Sequence, residues 1–405
     1  MKFLAGLAVL ASMAAMARTQ PPDINVNSRY TVEDVRVDPE RRLSRTLRED
    51  LRKLVGEKFN QATLDTLRER LKQETGARVV SQKVVRGDKA ETVQVVFELR
   101  YGKHGIDVNI PKAVYASRLG WSGAMELEAH WAGNTVGFGV ADDGDALVER
   151  FAGIRAYYER KELWGRRFGF RFDAEDWHDQ WNRTTMDALG SSMEPYRSRA
   201  SIQPVLTVRL WGPLTWSGGV NFQNLETPNQ AAPVQGAHSV VQILRLRQQW
   251  SESGLKQTVE AGYGLRAATN LLSSDFVYAR HQFDASYKFQ DGPHEIIVRA
   301  VGGAISGNAP MFERFVAGNT TVLRGYSKWD LTPAGATRLA AGTLEYRNHG
   351  IGVFYDTGTA WDDGGAARVH HSLGCGYTTR KGLMVAVAFP MRGDMFPMFF
   401  AGINF

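Results

Sequence analysis

The chain has 405 residues, 49 Lys+Arg against 43 Asp+Glu, a formal net charge of +6, 11% aromatic residues and one cysteine. So mild a positive balance gives no nucleic-acid footprint, so no nucleic-acid partner is expected, and a lone cysteine excludes an internal disulfide. Beyond the N-terminus no stretch approaches 18 consecutive apolar residues. That excludes a transmembrane helix but not a membrane barrel, whose strands need only about 9–11 residues with alternate ones apolar.

Residues 1–17 read as a secretory signal: Lys2 opens it, Phe3 to Ala14 form a short apolar run, and Ala15-Met16-Ala17 fits a small-x-small cleavage site. A small α/β domain is expected over 28–101. Tyr30 to Val37 alternates with a shift at Glu33-Asp34, which predicts an edge strand with an irregularity. Leu43, Leu47, Leu51 and Leu54 recur at helical spacing, and Gly56 ends that helix. Asn60 is placed to cap a second helix running to about Thr75, with Leu64, Leu67 and Leu71 on its buried face and Gly76 as its stop. Two strands, Ala77 to Val85 and Thr92 to Tyr101, flank the turn Arg86-Gly87-Asp88-Lys89. Two helices on such a sheet make a two-layer domain. Its open edges suit strand addition by an extended peptide, and a rigid spacer is the alternative.

From residue 112 to 405 strand and turn alternate without interruption. Sixteen strands are predicted, at about 113–120, 124–131, 134–140, 150–159, 164–175, 198–210, 214–225, 239–250, 256–267, 276–289, 294–305, 338–347, 350–358, 369–377, 382–390 and 397–405. An even count suits a single-chain outer-membrane barrel. In 164–175 Phe168, Phe170 and Phe172 alternate with Arg167, Gly169, Arg171 and Asp173. In 276–289 Phe283, Ala285 and Tyr287 oppose Gln282, Asp284 and Ser286. A charge facing lipid would cost roughly 2–4 kcal/mol at mid-bilayer, so the charged parity must face a lumen. Trp121, Trp131, Trp164, Trp211, Trp216 and Trp250 lie near strand ends, as interfacial girdles require. Segments 176–197 and 226–238 are polar and turn-rich, as long extracellular loops would be.

Between the eleventh and twelfth strands lies a loop over 306–337 carrying Val322-Leu323-Arg324-Gly325-Tyr326. In the two strands after it, Glu345 and Asp356 fall on the lumenal parity, within reach of a loop arginine that folds inward. A guanidinium can hold such carboxylates bidentately, and a loop of this length needs an anchor to be ordered. His178, His370 and His371 show no metal-ligand spacing. Nothing in the sequence matches a catalytic motif, so neither enzymatic activity nor a cofactor or metal is expected.

These features together resemble the bacterial surface antigen superfamily of outer-membrane assembly and translocation barrels, which includes BamA, TamA and the two-partner secretion transporters. The small domain resembles one polypeptide-transport-associated (POTRA) repeat. Carried over residue by residue, the resemblance makes Arg324, Gly325 and Tyr326 the anchor of a loop tucked into the lumen. Asp356 and then Glu345 are the acidic partners, and Phe354 and Gly358 belong to the strand motif. Phe405 at the C-terminus resembles the signal by which the barrel assembly machinery recognises its clients. Two departures stand out: Leu323 replaces the usual valine, and there is one POTRA unit where relatives carry several or at least two.

The resemblance implies an outer-membrane barrel with its N-terminal domain in the periplasm, surrounded by outer-membrane lipids. It would assist insertion or translocation of unfolded outer-membrane or secreted polypeptides through a lateral seam between 113–120 and 397–405. The alternatives are a passive channel, or a structural or surface-binding protein acting through its long loops.

Overall fold

The computed structural model of the protein describes residues 29–38, 43–75, 77, 79–100, 105–163, 167–252, 255–379, 382–391 and 396–404. The expected signal segment, the stop at Gly76, Trp164 and Phe405 fall outside these residues. The chain divides into two compact units, Met1–Gly102 and Lys103–Phe405.

In the first unit β1 (Thr31–Asp38) is followed by α1 (Arg45–Lys53), α2 (Gln61–Thr75), β2 (Val79–Arg86) and β3 (Thr92–Arg100). The sheet order is β1-β3-β2, with β1 parallel and β2 antiparallel to the central β3. Ser44 caps α1 by accepting the Leu47 N–H at 3.3 Å, and the Asn60 side chain caps α2 by accepting the Ala62 N–H at 3.0 Å. The leucines at three- and four-residue spacing then share one face of each helix. Leu47, Leu64 and Leu71 are buried against Val95 and Phe97 of β3. Each fully buried side chain contributes about 1.5–3 kcal/mol. The β1 irregularity falls between Val32 and Asp34. It aims Glu33 at the β2–β3 turn, whose Asp88 N–H it accepts at 2.8 Å.

The second unit opens with β4 (Gly105–Ala116), β5 (Gly120–Trp131), β6 (Asn134–Asp143), β7 (Arg150–Leu163) and β8 (Phe168–Gln180). A short helix, α3 (Arg183–Leu189), precedes β9 (Ser198–Trp211) and β10 (Leu214–Glu226). The three-residue β11 (Val234–Gly236) hangs on the end of β10. The wall continues as β12 (Ser239–Glu252), β13 (Leu255–Ala268), β14 (Val277–Asp291) and β15 (His294–Asn308). The inter-strand loop then contains α4 (Lys328–Leu331), before β16 (Arg338–Asn348) and β17 (Ile351–Trp361). Last come β18 (His370–Thr378), β19 (Leu383–Pro390) and β20 (Met398–Asn404). Leaving out β11, sixteen antiparallel strands close into a barrel, with β20 pairing β4.

Alternation decides which way each strand faces. Phe283 (48% exposed), Leu344 (54%) and Val385 (56%) lie bare on the outer face, which suits lipid and not water. Their neighbours Asp284, Glu345 and Ala386 face inward. One rim carries two-residue turns such as 132–133, 212–213, 292–293 and 349–350, and the other carries the long segments 181–197, 227–238 and 309–337. That asymmetry is the one outer-membrane barrels show.

The first wall strand begins at Gly105, earlier than the 113 read from the sequence, and the second begins at Gly120, earlier than 124. Pro111 looks like a strand boundary because it has no N–H to give a ladder. Here it sits at a register shift between Asn109 and Lys112, where no such bond is required.

Candidate functional site

The loop 309–337 folds onto the inner wall. Phe315, Ala317, Leu323 and Tyr326 are buried with Ile305 of β15 and Leu339 of β16. To make that fold the backbone turns left-handed at Gly318 (φ 86°), Leu323 (φ 56°) and Gly325 (φ 95°). Leucine in that region carries a steric cost that the surrounding packing must offset. A side chain at Gly325 would face that strain and crowd Ala388 of β19 at 3.3 Å.

These turns aim Arg324 at β16 and β17. Its Nε donates to Asp356 Oδ2 at 2.8 Å and its Nη2 to Oδ1 at 2.9 Å, a bidentate pair. The backbone N–H of Arg324 donates to the same Oδ2 at 3.0 Å. Nη1 reaches Glu345 Oε2 at 3.1 Å, and Arg347 Nε holds the other oxygen of Glu345 at 2.6 Å. Asp356 is 0% exposed, and Arg324 and Glu345 are nearly so. The guanidinium stacks on Phe354, 3.4 Å from the ring centroid. Gly374 on β18 makes room for that ring, since a Cβ there would lie 2.2 Å from it. The Tyr326 hydroxyl donates to the His371 carbonyl at 2.9 Å, and its ring meets His370 edge-on. Gly358 packs close to Ala341 of β16.

This constellation adjoins the barrel closure. Phe354 packs with Val114 and Ala116 of β4, Ala388 of β19 and Met398 and Phe400 of β20, and Trp329 of the loop packs against the same cluster. Pairing shortens steadily toward that closure. Among the described residues β17–β18, β18–β19, β19–β20 and β20–β4 share eight, seven, six and five residue pairs, against fifteen between β14 and β15. Residues 105–111 of β4 have no partner on the β20 side among the described residues. Ile106 (72% exposed), Val108 and Ile110 lie there uncovered.

Two further tethers escaped the sequence reading. Glu313 accepts from Arg266 Nη1 at 2.8 Å and from the Tyr278 hydroxyl at 3.1 Å, while Arg280 Nε donates to its backbone carbonyl at 2.8 Å. Burial pushes the Glu313 carboxyl up, but Arg266 and Arg280 outweigh it and hold the group below the usual range. On another side Lys328 donates to the carbonyls of Leu147 and Glu149, the latter at 3.2 Å, and Trp329 Nε1 donates to the Val148 carbonyl at 2.9 Å. Burial lowers the Lys328 ammonium to about 8, against the opposing pull of Glu149, Asp145 and Asp143. Neither residue carries a local signal, because its partners lie on strands or loops far away in the chain. Among the described residues no group of three or more His, Cys, Asp or Glu is placed to hold a metal.

The Omp85 superfamily domain matches residues 219–391, a span that contains Arg324, Glu345 and Asp356. Among solved structures the chain is similar to BamA from Haemophilus ducreyi lacking POTRA domains 1–3, with TM-score 0.58 and 14% identity over 93% of this chain and 85% of that one. It is also similar to CdiB from Acinetobacter baumannii (TM-score 0.56, 12% identity, 93% of this chain and 74% of that one). CdiB from Escherichia coli matches with TM-score 0.53 and 10% identity over 93% of this chain and 77% of that one. No curated protein matches the chain in sequence. At these identities the structural likenesses carry the fold alone, and the family match covers residues 219–391. Residues 219–391 thus carry an Omp85 superfamily domain, of a family that inserts or translocates proteins, within a sixteen-strand barrel of the fold seen in BamA and CdiB, and the small N-terminal α/β domain is consistent with one POTRA unit.

Proposed function

We propose that this protein assists insertion or translocation of polypeptides at the outer membrane, its N-terminal domain receiving client segments in the periplasm and the seam between β20 and β4 admitting them to the wall. One observation carries the reading: among the described residues the seam has five pairs, and the stretch of β4 at 105–111 has no partner on its β20 side. Unpaired backbone N–H and C=O groups beside lipid are costly, and an incoming strand satisfies them by augmentation. The free energy of the client's own ladder and burial then drives the step, with no nucleotide or metal required. The loop anchored at Arg324 contributes by holding Phe354 and Trp329 against the seam strands. Outer-membrane lipids and, for the protein's own insertion, the barrel assembly machinery are the remaining partners.

The purified full chain in liposomes is expected to speed insertion of unfolded barrel clients. No acceleration across several clients would overturn the reading. The passive-channel reading draws support from a lumenal cavity of roughly 1100 Å³. A large, steady single-channel current insensitive to deletion of residues 28–101 would favour it.

A further inference from the structure

The cavity runs along the inner wall from Phe312 and Glu313 of the loop to the short-turn rim. Basic side chains outnumber acidic ones around it, and the acids are already taken. Arg155 lies 3.8, 2.9 and 3.4 Å from Glu126, Asp173 and Glu175. Lys112 pairs with Asp143, Lys161 with Glu159, and Arg266 and Arg280 with Glu313. Four exposed guanidiniums along it have no carboxylate partner among the described residues: Arg160, and the group of Arg167, Arg209 and Arg245 at the short-turn end.

The placement of that group is not scattered. Thr215 of β10 stands opposite Arg209 of β9 and opposite Arg245 of β12, so the three share one row across adjacent strands. The Arg209 N–H donates to the Arg167 carbonyl at 2.8 Å, which extends the row to the start of β8. With strands about 4.8 Å apart, the row spans roughly 15 Å. Like charges set this close repel one another, and an anion relieves that repulsion. Low-dielectric walls strengthen the field inside such a vestibule.

We infer that this row is a docking site for an acidic, extended polypeptide segment entering the lumen from the short-turn rim. It deepens the proposed function, on which it rests for the polypeptide nature of the ligand, by naming the chemistry of the segments handled. Carboxylates on one face of an extended chain recur about every 6.8 Å, a spacing that can reach successive arginines of the row. Each planar fork can take a carboxylate bidentately. Lipid headgroups share the charge but meet only the outer face of a closed barrel, whereas these side chains line the inside.

The test uses the full chain in detergent and a short fluorescent peptide of alternating glutamate and valine, beside its glutamine counterpart. The acidic peptide is expected to bind about tenfold or more tightly than the neutral one, and more weakly as salt rises. The combined variant Arg167→Gln/Arg209→Gln/Arg245→Gln should lose that preference while remaining a heat-modifiable barrel. If the combined variant does not fold, Arg245→Gln alone should still lower affinity about two- to fivefold. Equal binding of both peptides, or an unchanged preference in the variants, overturns the inference. Displacement by inorganic phosphate or by anionic lipid vesicles at concentrations that match the peptide's carboxylates overturns the polypeptide assignment. Client insertion followed in parallel separates the two claims: its absence from a protein that binds the peptide counts against the general function and leaves the docking site standing.

Discussion

Replacing Arg324 with alanine removes two of the three donors that hold Asp356, leaving only the backbone N–H at 3.0 Å. Removing one member of a buried ion pair costs about 3–5 kcal/mol, because the other charge stays buried. Glu345 adds little, since Arg347 still holds it at 2.6 Å. A loss of about 3 kcal/mol in loop docking is therefore expected. The wall ladders are untouched, and the Glu313 and Lys328 tethers persist, so the barrel should remain folded and heat-modifiable. Hydrogen exchange reads the loss directly at the Gly318 and Asn319 amides, which donate to the Val322 carbonyl at 3.2 and 3.1 Å. A drop of 3 kcal/mol in opening free energy speeds their exchange by about two orders of magnitude. Acceleration below about fivefold, or wall strands that melt together with the loop, would refute the reasoning.

Glu313→Gln should free the start of the loop and leave Arg266 and Arg280 without their carboxylate, at about 3 kcal/mol, seen as protease sensitivity confined to the loop. In the native protein the depressed Glu313 value means its contribution is fully present above the usual glutamate range and is lost as pH falls through its lower folded value, so acid should loosen the same segment. For Lys328 the sign reverses, because its folded value of about 8 lies below the ordinary 10.5: the buried charge disfavours docking below about pH 8, and docking should strengthen as pH rises between the two. Exchange measured across that window should show the trend in the native protein and lose it in Lys328→Met. Gly402→Val should weaken the seam, since φ is 152° there and a Cβ would lie 2.0 Å from the Ala113 carbonyl oxygen; a lower temperature for loss of the heat-modifiable band would report it.

The wall was legible because period two leaves its mark in every strand: Phe168, Phe170 and Phe172 against Arg171 and Asp173 fix both the strand and its facing. Strand ends were less legible, since nothing in 105–110 marks a strand start once Pro111 is taken as a boundary. The acidic parity of Glu345 and Asp356 was readable from the same alternation, and the short motif around Arg324 named the side chain facing them. Glu313 and Lys328 were not readable. Their partners, Arg266 and Arg280 for one and the 147–149 carbonyls for the other, are brought near only by barrel closure and loop insertion. The unpartnered arginines at the short-turn end belong to the same class, because being unpaired is a property of the closed lumen and not of any one strand.

A reversible lock across the seam bears most directly on the proposed mechanism. Ala113 and Ile403 face each other in the β20–β4 register, and directly opposed antiparallel residues fall within disulfide reach. Ala113→Cys/Ile403→Cys, in a Cys375→Ser background because the native thiol is exposed, can be compared oxidised and reduced in the liposome insertion assay. Loss of client insertion on oxidation and its return on reduction is the predicted result. Equal acceleration by the locked and unlocked protein would contradict a seam-based mechanism.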